Sequence, residues 1–191
     1  PNDASDASLD KDGDGLNNLV EYHYGTNINN MDSDGDGLND KTEVELGYNP
    51  LVATKFIYVD QTKADDSGNG LSENNAKKTI SAGVNAAKTI YENVVLVKPG
   101  LYTGGSNRGI NFNGYNIKLR SMGNASNTII DLERSGPFVN LNSGETLVSW
   151  LDGFTIRNGF RDSNGIAINL DGAALDIRNC IFINNNSGTK Y

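Results

Sequence analysis

Residues 109–114, GINFNG, return as PFVNLN at 137–142 and as GIAINL at 165–170, a step of 28 residues each time. A second motif keeps nearly the same interval: DGFTIRNG at 152–159 matches NCIFINNN at 179–186, a step of 27. Around them run short apolar segments separated by Gly and Asn: VVLVK (94–98), INF (110–112), IKLRS (117–121), TIIDL (128–132) and FVNL (138–141). TLVSW (146–150), FTIRN (154–158), IAINL (166–170), LDIRN (175–179) and IFIN (181–184) follow. Strands this short, spaced about 8–12 residues apart, fit a sandwich, a barrel or a solenoid. A three-strand unit that recurs at a fixed interval selects the solenoid, one repeat per coil of a parallel β-helix. No such coil buries its apolar face alone; each must stack on the next. Asn158 and Asn185 are the candidate partners in an Asn ladder between coils. Helical periodicity appears once in this half, in KKTISAGVNAAKTIYEN (77–93), where Ile80, Val84, Ala87 and Tyr91 share one face.

The chain has 191 residues and a net charge of −8, and the charge is unevenly placed. Residues 1–50 hold 12 Asp and Glu against Lys11 and Lys41, while residues 51–191 hold the other 12 acids against 14 bases. The acids at the start are spaced in a pattern. DKDGDGLNNLVE, Asp10 to Glu21, recurs as DSDGDGLNDKTE, Asp32 to Glu43, 22 residues on. Each copy carries carboxylates at positions 1, 3 and 5, Gly at 6, an amide or acid at 9 and Glu at 12, the ligand order of a twelve-residue calcium loop. Calcium takes six to eight oxygens in loose geometry, and side chains at 1, 3 and 5 converge only where the backbone wraps around the ion. Gly15 and Gly37 permit that turn. Loop one offers Asp10, Asp12, Asp14, the Leu16 carbonyl, Asn18 and Glu21; loop two offers Asp32, Asp34, Asp36, the Leu38 carbonyl, Asp40 and Glu43. Two calcium sites are expected, the first weaker because it has one carboxylate fewer.

These fifty residues resemble the bacterial relatives of thrombospondin type 3 repeats, with their DxDGDGLxDxxExxxGTNP pattern. The match is strong over Asp32–Pro50 and looser over Asp10–Asn27, where Asn18 replaces Asp and Ile28 stands where Pro is usual. LNNLVEYHYG and LNDKTEVELG leave room for only two or three helical turns each. The resemblance implies a rigid, calcium-ordered spacer outside the cell, at the cell surface or secreted, with affinity on the order of 10⁻⁴–10⁻³ M. A second resemblance covers residues 55–191. The run FIYVDQTKADDSGNG, KKTISAGVNAA and VVLVKPGLYT is similar to the start of right-handed parallel β-helix proteins of the pectate-lyase-like superfamily, and GFTIRNG and NCIFINN to their repeats. It implies a mainly β fold, a right-handed parallel β-helix of about four coils with an opening strand and an N-terminal capping helix. The domain boundaries expected are 1–54 and 55–191. Activity does not follow, because lyases, hydrolases and adhesins share that scaffold.

Composition excludes other classes. A chain with 37% apolar and 21% charged residues, 22 Gly and 4 Pro is neither disordered, collagen-like nor a coiled coil. No apolar run reaches 18 residues, so no membrane span is expected. Nucleic acid is an unexpected partner for a chain without a basic footprint. The lone Cys180 reads as a small core residue and His23 as structural. Arg120, Arg157, Arg178, Asp152, Asp162 and Asp176 are candidate lyase residues that form no motif and read as exterior side chains. No catalytic residue is assigned, and catalysis by these 191 residues is not expected; a longer parent would most plausibly be a polysaccharide lyase or a self-assembling surface component. The ending NNNSGTKY follows directly on an apolar strand without a cap. The expectation is a piece of a longer protein, or coil ends that self-associate, with a polysaccharide or cell-surface glycan as partner.

Overall fold

The computed structural model describes residues 5–88, 92–160 and 167–186. The chain divides after Thr54 into two compact units.

In the first unit, each acidic loop runs into a seven-residue helix, α1 (Asn18–Tyr24) and α2 (Asp40–Leu46). The two helices start alike. Asn17 and Asn39 stay extended, and their side chains accept from Val20 N and Thr42 N, satisfying one orphan donor at each N-terminus. They also stop alike, at Gly25 and Gly47, whose φ of 80° and 76° is the left-handed cap geometry. Helices of two turns are unstable alone in water, so the packed loops must hold them.

The second unit is built from strands β1 (Thr54–Val59), whose first residue, Thr54, still belongs to the first unit, β2 (Glu92–Val97), β3 (Gly100–Tyr102), β4 (Ile117–Ser121) and β5 (Thr128–Asp131). They continue as β6 (Val139–Leu141), β7 (Trp150–Asp152), β8 (Thr155–Arg157), β9 (Ile168–Leu170), β10 (Asp176–Arg178) and β11 (Ile181–Ile183). The strands stack as three sheets, β1-β2-β4-β7-β10, β3-β5-β8-β11 and β6-β9, and the described pairs from β2 onward are parallel. This is a mainly β parallel solenoid of about three turns.

Register gives the core its columns. Val95, Leu119, Leu151 and Ile177 lie one above another, and so do Tyr102, Ile130, Ile156 and Phe182. The first three members of each column are 0% exposed, whereas Ile177 is 41% and Phe182 45% exposed in the last described coil. Helix α3 (Ile80–Ala87) buries Ile80, Val84 and Ala87, three of the four residues expected on its apolar face; Tyr91 lies outside the described residues. Its Gly83 lets the helix approach closely, since a Cβ there would stand 2.3 Å from Val59 Cγ2.

Local details differ from the sequence pattern. Val139 pairs with Ile168 and Thr155 with Ile181, steps of 29 and 26, because the turns between strands differ in length from coil to coil. The segment 146–149 is a turn, and the strand begins at Trp150. INF contributes a single bridge, Ile110 to Val139, while β3 lies within the KPGLYT segment. Asn158 and Asn185 do not bond to each other, and Asn pairs form elsewhere: Asn140 is bonded to Asn169, and Asn111 Nδ2 donates to Asn142 Oδ1 at 2.8 Å. The step of 26 places Asn184 opposite Asn158, both left-handed, with φ of 53° and 59°. Asn158 turns to Asp131 Oδ1, and Asn185 instead accepts from Gly159 N and donates to Ile156 O. Among the described residues no helix is long and apolar enough to cross a membrane.

Candidate metal centre

The two acidic loops are wound the same way, by their own carboxylates. Asp10 accepts from Gly13 N and Gly15 N at 2.8 and 2.9 Å; Asp32 accepts from Gly35 N and Gly37 N at 2.7 and 2.9 Å. Asp12 Oδ1 takes Asp14 N and Asp34 Oδ1 takes Asp36 N. Asp14 Oδ1 and Asp36 Oδ1 take the N–H of Leu16 and Leu38 at 2.6 and 2.7 Å. Gly15 and Gly37 adopt φ of 102° and 97°, backbone geometry that a side chain would strain. At Gly15 a Cβ would also sit 2.7 Å from Lys41 Cδ.

This winding brings three carboxylates together in each loop. Ligand oxygens of Asp10, Asp12 and Asp14 lie within 4.8 Å of one another, and so do those of Asp32, Asp34 and Asp36. The twelfth-position acids on the helices fall outside these two groups of three, as does Asp40; Glu21 is 1% and Glu43 0% exposed. Both oxygens of Glu21, Glu43 Oε2, Asp12 Oδ2, Asp34 Oδ2 and Asn18 Oδ1 are buried without a hydrogen-bond partner. A buried carboxylate without a partner is costly, so it protonates or finds a cation. Burial first, then the charges of Asp12, Asp14, Asp40 and Asp10, push Glu21 up to about 7. Burial first, then Asp34 and Asp36, push Glu43 up to about 8, with Thr54 acting in the opposite sense. Asp34 is raised too, by burial and then by Asp36. All the donors are oxygens, the set a hard cation such as calcium takes.

The ninth positions differ. Asn18 ties its amide to Asp6 O at 3.0 Å and leaves its oxygen unpartnered, whereas Asp40 accepts from Ser33 N and Oγ at 2.8 and 2.7 Å. Leu16 is buried and Leu38 half-buried, each just past the Gly turn. Two residues outside the pattern join the loops. Lys41 N donates to Asp14 Oδ2 at 3.1 Å, and Thr54 donates through its N–H to Asp36 Oδ2 at 2.6 Å and through its hydroxyl to Glu43 Oε1 at 3.2 Å. Neither falls at a ligand position of the loop it touches, so spacing gave no signal for them.

The described charged candidates of the solenoid are held in ion pairs. Arg157 Nε meets Asp131 at 2.9 Å, Arg178 Nε meets Asp176 at 2.7 Å, and Arg120 Nε stands 3.8 Å from Asp152. Arg178 also lies over the Trp150 ring, 5.1 Å from its centre. Asp162 lies outside the described residues. His23 is exposed and meets Tyr24 edge-on, and Cys180 packs half-buried against the core, its thiol pushed up by burial.

Among known proteins, no curated sequence and no solved structure matches the chain. The family model described as the bacterial TSP3 repeat matches residues 10–27 and 32–53, the two loops with their helices, and such repeats bind calcium.

Proposed function

We propose that this chain is an extracellular, calcium-binding modular protein. Residues 1–54 form a spacer ordered by two calcium ions, and residues 55–191 form a right-handed parallel β-helix of the pectate-lyase-like type that serves as a structural or adhesive scaffold, with a polysaccharide or cell-surface glycan as partner. The observation that carries the calcium reading is Glu21: a carboxylate almost wholly buried, with neither oxygen hydrogen-bonded, among Asp12, Asp14 and Asp10. Asp10, Asp12, Asp14, Asn18, Glu21 and the Leu16 carbonyl would hold one ion; Asp32, Asp34, Asp36, Asp40, Glu43 and the Leu38 carbonyl the other. Bound calcium neutralises charges that otherwise repel one another, and its binding energy becomes folding energy. Calorimetric titration of the chain with calcium, beside trypsin digestion in chelator and in millimolar calcium, tests this. Heat of binding and protection at Lys11 and Lys41 are expected; identical digestion in both conditions overturns it.

A further inference from the structure

Thr54 lies one residue beyond the matched repeat and eleven beyond the last acid of loop two. It is nonetheless 8% exposed and touches two acids of that loop, Asp36 through its N–H and Glu43 through its hydroxyl. Loop one has half of this arrangement. Lys41 supplies an N–H to Asp14, the counterpart of Asp36, but neither carboxylate oxygen of Glu21 receives a hydroxyl. The two sites therefore differ through a residue outside either loop.

We propose that Thr54 is a positioning residue of the second calcium site, an inference that rests on the calcium reading above. Its hydroxyl donates to Glu43 Oε1 and leaves Oε2 as the unpartnered oxygen of that carboxylate, while its N–H donates to Asp36 Oδ2. A ligand set by a hydrogen bond from outside the ion's shell loses less freedom when the ion binds. The second site is thus the tighter one for a reason independent of its extra carboxylate.

The test titrates the full chain with calcium alone in two backgrounds. Asp12→Asn disables loop one, and Asp34→Asn disables loop two. In the Asp12→Asn background, Thr54→Val should weaken the remaining site by roughly tenfold to a hundredfold, the usual worth of one hydrogen bond to a charged group. Thr54→Ser, which keeps the hydroxyl, should restore affinity to within about twofold of the parent on the same ground. In the Asp34→Asn background Thr54→Val should change nothing. Thr54→Ala removes the hydroxyl without a second methyl and should reproduce the Val result. Three outcomes overturn the proposal: no loss with Val and Ala, a Ser variant as weak as Val, or equal losses in both backgrounds. A chain that takes up no calcium with Thr54 in place overturns the calcium reading itself.

Discussion

Asp14 Oδ2 accepts the backbone N–H of Lys41 at 3.1 Å, so an acid of loop one holds the second residue of helix α2. The start of α2 is then fully satisfied: Met31 O takes Asp40 N, Asp14 takes Lys41 N, and the Asn39 side chain takes Thr42 N. In α1 the matching donor, Leu19 N, goes to Ala7 O. Two repeats alike in sequence thus use different partners, because only the second has a folded loop behind it.

Asp14→Ala removes that capping acceptor as well as a metal ligand. In chelator it should cost about 1–2 kcal/mol, the usual worth of a lost helix cap. Trypsin reads the loss directly, since Lys11 and Lys41 are the only basic residues among the first fifty. Cleavage at Lys41 should speed up by roughly tenfold in chelator, following the larger open population. An unchanged rate would mean that the hydrogen bond does not hold the helix.

Glu21→Gln and Glu43→Gln should have effects of opposite sign in the two conditions. Without calcium, near pH 8, each removes a buried charge and should stabilise the first unit by about 1–2 kcal/mol. With millimolar calcium each deletes a ligand, and most of the calcium stabilisation should vanish. Urea unfolding in chelator and in calcium reads both. A Gln variant less stable in both conditions would place these acids in ordinary structural roles.

The same acids set the pH response. In the folded chain burial pushes them up to about 7 and about 8, above the ordinary glutamate value of 4.5. The folded chain therefore holds more protons than the unfolded chain between those limits, and stability without calcium falls as pH rises from about 4.5 to 8. Calcium must displace those protons, so its affinity rises over the upper part of that range, by roughly tenfold per pH unit for each proton released. Melting in chelator from pH 5 to 8.5, beside calcium titrations at pH 6 and 8, checks both slopes. A flat melting profile with pH-independent affinity would contradict the burial of Glu21 and Glu43.

The two acidic loops were legible because a repeat with a fixed ligand order imposes spacing on consecutive residues. Positions 1, 3, 5, 6, 9 and 12 fall within one short segment, and the pattern was printed twice. Lys41 and Thr54 were not legible, because they reach Asp14 and Asp36 across 27 and 18 residues through backbone N–H groups that every residue but proline carries, and the Thr54 hydroxyl meets Glu43 from outside the loop. In the solenoid, repetition gave the stacking but not the register. A one-residue difference puts a side chain on the other face of a strand, and turns of unequal length set that difference. Hence the ladder at Asn140 and Asn169, and the turn over 146–149 where a strand seemed to run.

Truncations along one core column should report the solenoid's stacking quantitatively. Leu119, Leu151 and Ile177 occupy successive coils at the same register, so the chemistry of the site is nearly constant and only the cover changes. Leu151 is sealed between its neighbours at 0% exposure, and Leu151→Ala should cost about 2–5 kcal/mol, the range for a buried Leu whose cavity cannot collapse. Ile177 is 41% exposed, already hydrated on one side, and Ile177→Ala should cost at most about 1–2 kcal/mol. Urea unfolding of the second unit at low protein concentration measures both, with calcium saturating so that the first unit does not interfere. Equal costs at the two positions in dilute solution would mean that Ile177 is already covered there, and the columns would not end where the last described coil places them.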